Sequence, residues 1–262
     1  MRLDNFEKEN IMRKCITIMM IFFIAGSVFA YDKDERSHRK KRGFFRGGAG
    51  GFDTYMLPLE IKAINSQLGD LQITEFKDNM FLTGGGGWGY VGKSIRIGGL
   101  GFGGFTVTDG APVSGKIQKE FTLSLGFGGF LIERSFHPFN NSEIYIGSMI
   151  GGGTAAIKMV QWSGPVTWDD VWSGYSTASD PDTTTHAFYD YQTDMSSHFF
   201  TVMPSIGFTY NVFRWCAIGL SAGYLYTNLD QEGWKMEGRR VSNAPEIDFS
   251  NTIYRLSVYF GG

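Results

Sequence analysis

Asp190, Asp194, Ser196, Ser197 and His198 lie within nine residues and are the types from which a nucleophile, a base and an orienting carboxylate are built. Hydrolysis or acyl transfer needs those groups within hydrogen-bond reach, and closeness along the chain does not place them there. Polar residues are equally what an exposed loop carries. The expectation is no catalytic residue, with a hydrolase or acyltransferase built from these five as the alternative. Just before them, Trp162, Trp168, Trp172, Tyr175, Phe188, Tyr189 and Tyr191 stand among Asp169, Asp170, Asp180 and Asp182. Aromatic faces beside carboxylates fit a carbohydrate, a protein partner or a calcium ion. Candidate ligand contacts are therefore Trp162, Trp168, Asp169, Asp170, Trp172, Tyr175, Asp180, Asp182 and Tyr189; the competing reading is a loop that packs on itself. His38, His137, His186 and His198 are scattered, and no Cys-x-x-Cys, His-Glu-x-x-His or P-loop occurs. Gly99 to Gly104 fits G-x-G-x-x-G, yet a dinucleotide fingerprint opens a helix and this stretch continues as strand. No metal and no cofactor are expected.

The elements that must position these residues are strands. Phe200, Val202, Pro204, Ile206, Phe208, Tyr210 and Val212 alternate with Thr201, Met203, Ser205, Gly207, Thr209 and Asn211. Cys216, Ile218, Leu220, Ala222, Tyr224 and Tyr226 then alternate with Ala217, Gly219, Ser221, Gly223, Leu225 and Thr227. Period two is the mark of a β-strand, and the three residues between the runs make a tight hairpin. Each run has roughly the 9 to 11 residues of a tilted bilayer-crossing strand. Lipid is the natural solvent for the apolar face. Within it, a charge such as Arg255 is expected to point into the lumen, where it plugs rather than selects.

Eight such runs occur, at about 46–57, 80–91, 94–107, 118–133, 143–160, 199–212, 215–227 and 252–260. Ile95 and Ile97 change phase to Leu100 and Phe102, which predicts a bulge or sharp bend at Gly98-Gly99. Leu-Gly-Phe-Gly-Gly-Phe occurs at 100–105 and again at 125–130. Connections alternate short and long, as barrels with short turns at one end and long loops at the other require. The spacing of Leu59, Ala63, Ile64 and Leu68 predicts a short helix in the first long loop.

Ahead of the strands, Arg13 and Lys14 precede an apolar run closed by Val28-Phe29-Ala30, so residues 1–30 are expected to be a cleaved signal peptide, with Met12 as a possible start. Residues 31–46 read as a basic flexible arm and 47–262 as the strand domain. Cys216 is then the only cysteine left, and no internal disulfide can form. A formal charge of -2 offers nucleic acid no attraction. The 36 glycines and high aromatic share suit a barrel.

On Pro204-Ser205-Ile206-Gly207-Phe208-Thr209-Tyr210, Ala217-Ile218-Gly219-Leu220-Ser221-Ala222-Gly223-Tyr224 and Leu256-Ser257-Val258-Tyr259-Phe260, the chain resembles bacterial outer-membrane β-barrel proteins, especially the small eight-stranded kind related to outer-membrane proteins A and X. The resemblance implies an all-β fold: a closed, antiparallel, up-and-down transmembrane barrel of about eight strands, ten being the alternative count, with long external loops. It implies the cell outer membrane as location, with outer-membrane lipid and the barrel-assembly machinery as partners. Members of that class usually end on an aromatic residue; here Gly261-Gly262 follow Phe260. The expected role is structural, adhesive or ligand-contacting through the external loops. A narrow channel and a secreted glycine-rich β-protein forming assemblies are the alternatives.

Overall fold

The computed structural model describes residues 47–70, 73–92, 94–109, 117–139, 141–163, 191–245 and 247–261. All belong to one compact unit, Gly43–Gly262. The expected signal segment and basic arm lie outside the described residues.

Strands β1 (Gly48–Pro58), β2 (Asn79–Val91), β3 (Ile95–Asp109), β4 (Ile117–Phe139), β5 (Ser142–Ser163), β6 (Tyr191–Phe213) and β7 (Cys216–Leu229) each pair antiparallel with the next. A two-residue hairpin follows, β8 (Lys235–Met236) and β9 (Arg239–Arg240), and then β10 (Asn251–Gly261). β10 pairs with β7 on one side and with β1 on the other, from Ala49 opposite Gly261 to Met56 opposite Tyr254. The sheet is therefore a closed ring of eight strands, an up-and-down barrel of the transmembrane type. β8 and β9 hang on the outer end of β6, with Met195 opposite Met236, and are not staves of the ring. Closure matters in hydrocarbon, because no water is there to satisfy an open strand edge.

The short connections after Val91, Phe139 and Phe213 lie at the same end as Gly48 and Gly261. Gly92 takes a positive φ of 73° in the first of them. The long connections open at the other end. The first contains α1 (Lys62–Asp70), three residues later than the spacing suggests, with Ile64 and Leu68 buried.

In β6 the apolar face points outward. Phe200, Ile206, Phe208, Tyr210 and Val212 are exposed, while Thr201, Met203 and Thr209 are buried inside. β7 repeats this, with Ile218, Leu220 and Tyr224 outside and Ala217, Leu225 and Thr227 inside. Phe52, Phe81, Phe105, Phe130, Ile146, Ile150, Leu256 and Phe260 continue the exposed belt around the wall. Near the short turns Phe213, Trp215 and Phe260 stack, with centroids 5.6 and 6.1 Å apart. An exposed apolar belt that touches every strand of the ring has hydrocarbon as its matching solvent. Ile206→Arg is expected to cost roughly 2–4 kcal/mol of folding free energy in lipid vesicles. Urea titration of refolding into vesicles measures it, and an unchanged midpoint would place Ile206 elsewhere than against lipid.

β4 departs from this pattern. Its apolar residues Phe121, Leu123, Leu125 and Phe127 point inward and are buried, because the upper lumen is itself an apolar core. That core also explains the phase change in β3. The register of β3 runs unbroken against both β2 and β4, so the bulge expected at Gly98-Gly99 is absent. Ile95 faces out near the short turns, whereas Leu100 and Phe102 face the core; the environment changes, not the strand. Register shifts fall instead at Phe136/Phe139 and Asn211/Phe213, beside short turns. The repeated hexapeptides pair antiparallel, with Phe102 opposite Phe127.

Candidate functional site

The lumen has two layers, each built by inward positions of the ring. Toward the short turns it is polar. Arg96 on β3 is opposite Glu133 on β4, and its Nε donates to Glu133 Oε2 at 3.0 Å while Nη2 makes a second, closer contact to the same oxygen. Arg96 Nη1 donates to Glu143 Oε2 at 3.3 Å. The guanidinium lies between two rings, 4.3 Å from the centroid of Trp88 and 4.2 Å from that of Tyr145. Such a sandwich supplies cation–π attraction to a charge that has left water. Glu143 Oε1 also accepts from Tyr90 Oη at 2.6 Å, and His137 Nε2 stands 4.0 Å from the same oxygen.

Arg255 crosses the middle of the lumen. Its Nε donates to Ser221 Oγ at 2.9 Å, its Nη2 to Tyr145 Oη at 2.8 Å, and Glu133 Oε1 is 3.9 Å away. Tyr145 reaches it because Gly207, the next strand's inward position, has no side chain; a Cβ there would overlap the Tyr145 ring. Ser257 donates to Asp53 Oδ1 at 2.5 Å in the same layer. The polar layer holds Arg96 and Arg255 against Asp53, Glu133 and Glu143, nearly neutral and almost wholly buried. Buried charges persist only when paired in this way.

Above it runs a column of rings. Tyr55 stacks on Phe102 at 3.8 Å, Phe102 meets Phe127 edge-on at 3.9 Å, and Phe127 leads to Phe199 at 6.2 Å and on to Phe249 at 6.5 Å. Leu59, Ile61, Ile64, Leu68, Ile73 and Phe76 from the first long loop close over this column, as do Trp234, Ile247 and Phe249 from the last. Asn65 ties the first loop down, accepting from Phe76 N at 3.1 Å.

Of the candidate ligand contacts, Trp162 is in β5 opposite Gln118. Trp168, Asp169, Asp170, Trp172, Tyr175, Asp180, Asp182 and Tyr189 lie outside the described residues, as do Asp190, His38 and His186. Asp194, Ser196 and His198 sit on the outward face of β6, beyond Phe200, while Ser197 is buried on the inward face. Ser197 and His198 thus project to opposite sides of the wall. His198 Nδ1 bonds to Thr154 Oγ1 at 2.9 Å, and Asp194 accepts from Gln192 Nε2 at 2.9 Å. No nucleophile–base pair is assembled from them. Among the described residues no group of His, Cys, Asp or Glu is arranged to hold a metal ion.

Sequence reasoning named Arg255 but missed Arg96, Glu133 and Glu143. For Arg96 the signal was there: a charge set between apolar neighbours, as in Ile95-Arg96-Ile97, marks an inward position of a lipid-facing strand.

No protein-family model matches the sequence, and no curated protein matches it. Among solved structures, the chain is similar to the attachment invasion locus protein Ail of Yersinia pestis in complex with the heparin analogue sucrose octasulfate, at a TM-score of 0.36 and 11% identity, covering 82% of this chain and 96% of that one. It is also similar to the outer membrane protein OprG from Pseudomonas aeruginosa, at a TM-score of 0.36 and 10% identity, covering 83% of this chain and 97% of that one.

Proposed function

We propose that this chain is an outer-membrane barrel whose wall anchors it in lipid, whose lumen passes no solute, and whose long-loop end makes structural or adhesive contacts. One observation carries the reading: the lumen is filled by the Arg96–Glu133–Glu143 layer below and by the ring column above. An eight-stranded ring has an interior that side chains can fill, and water-filled pores take about 16 to 18 strands. A narrow channel would need an open thread past both layers. A secreted glycine-rich assembly would leave the exposed belt of Phe52, Phe81, Phe105, Phe130 and Leu256 in water.

In this reading the partners are outer-membrane lipid, the barrel-assembly machinery and a ligand or protein met at the surface. The aromatic and acidic stretch around Trp168 to Tyr189 is the contact candidate. Purified barrel added to planar bilayers is expected to give no unitary conductance steps. Replacing residues 166–188 by a short Gly-Ser linker is expected to abolish binding of cells to host matrix while leaving membrane insertion unchanged. Regular conductance steps from the intact chain would move the function to transport, and full matrix binding by the linker variant would remove the loop from it.

A further inference from the structure

The lipid-facing wall is not evenly covered. A groove of about 720 Å³ runs over β1, β10, β7 and β6. Its shape follows from the register. Met56, Tyr254, Ala222 and Ile206 form one outward row across the four strands, and Thr54, Leu256, Leu220 and Phe208 form the next. Between the rows Tyr55, Arg255, Ser221 and Gly207 turn inward, which leaves a furrow with backbone for its floor. Ala222, the smallest residue of these two rows, widens it, and Phe81 and Ile144 stand at its two ends.

We propose that this furrow seats one acyl chain of a membrane lipid, held as a resident molecule distinct from the surrounding bulk lipid. The proposal rests on the membrane reading above. The furrow is continuous with the exposed apolar belt, so hydrocarbon is already the medium that touches it. Its length fits as well: three inter-strand spacings of about 4.8 Å give roughly 14 Å. One leaflet of a hydrocarbon core about 30 Å thick offers chains of roughly 15 Å. Direction is what sets the seated chain apart. Strands of such barrels tilt by about 35–45° from the membrane normal, so a furrow perpendicular to them is inclined by roughly 45–55°. A chain lying in it must leave the parallel packing of its neighbours and takes an orientation that bulk lipid does not have.

Native mass spectrometry of barrel extracted from its own membranes in mild detergent tests this. Wild type is expected to carry one lipid per barrel. Ala222→Phe fills the furrow and is expected to cut the lipid-bound fraction at least tenfold. Gly126→Phe adds the same bulk to the outward face of β4, where a Cβ meets nothing within 4 Å, and is expected to retain the lipid. Thr54→Phe fills the same furrow from β1 and reads the proposal if Ala222→Phe does not assemble. Lipid-free wild type, equal retention in the furrow and β4 variants, or a dimer that only the furrow variants dissolve would each overturn the assignment. Heat-modifiable mobility of the same samples reports barrel assembly independently, so an assembled barrel with an empty furrow sinks the resident lipid and leaves the membrane reading standing.

Discussion

Arg96→Met is expected to destabilise the barrel by about 3–5 kcal/mol, the cost of stranding a buried partner when one member of an ion pair is removed. The lost groups are specific. Among the described residues Glu133 keeps only Arg255 at 3.9 Å, and Glu143 keeps Tyr90 and the partly exposed His137. Trp88 and Tyr145 lose the cation between their rings. Two carboxylates then face one another across the lumen without the guanidinium that separates them. Removing the charges together is a different matter, since a neutral, well-packed replacement avoids desolvating ions altogether. The triple variant Arg96→Met, Glu133→Gln, Glu143→Gln is therefore expected to recover at least half of the loss. Urea midpoints for refolding into vesicles measure both. A single variant as stable as wild type would mean that the polar layer is hydrated and that the lower lumen is open to water.

The ring itself was legible because lipid outside imposes a period of two over long stretches, as between Phe200 and Tyr226. The alternation of short and long connections then fixed which ends lie together. Strand ends were harder. β6 begins at Tyr191, eight residues before the apolar alternation at Phe199, because its outward residues above the belt are Gln192, Asp194, Ser196 and His198. Those residues look like a loop in the sequence, although Thr193, Met195 and Ser197 keep the inward rhythm. β4 also runs past its expected end, through Arg134 to Phe139 beside a short turn, and β5 runs on to Ser163. The lumen was hidden more deeply. Arg96 and Glu133 are 37 residues apart and meet only through the cross-strand register, which composition does not encode. The inward turn of Phe121 to Phe127 was ambiguous on principle: an apolar alternation says that one face avoids water, and both lipid and a packed lumen satisfy it. What resolves it is the outward partner set, Thr122, Ser124, Gly126 and Gly128, too small and too polar to make a lipid belt.

That ambiguity is open to direct measurement, because Phe127 and Phe130 occupy the two faces of one strand. Phe127 is buried against Phe102 and Phe199, and Phe130 is about half exposed on the outer wall. Truncating either removes the same atoms, yet the consequences differ. Inside, the void left by Phe127→Ala is walled by backbone that closure of the ring holds in place, so the cavity persists and the cost is expected at about 3–5 kcal/mol. Outside, lipid chains flow into the space left by Phe130→Ala; only the transfer of the lost ring from water counts, about 2 kcal/mol or less. Paired urea titrations in the same vesicles read the difference, which is expected to exceed about 1 kcal/mol in favour of the inward residue. Equal losses would mean that both rings contact lipid, and then the upper lumen could not be the dry column that seals this barrel.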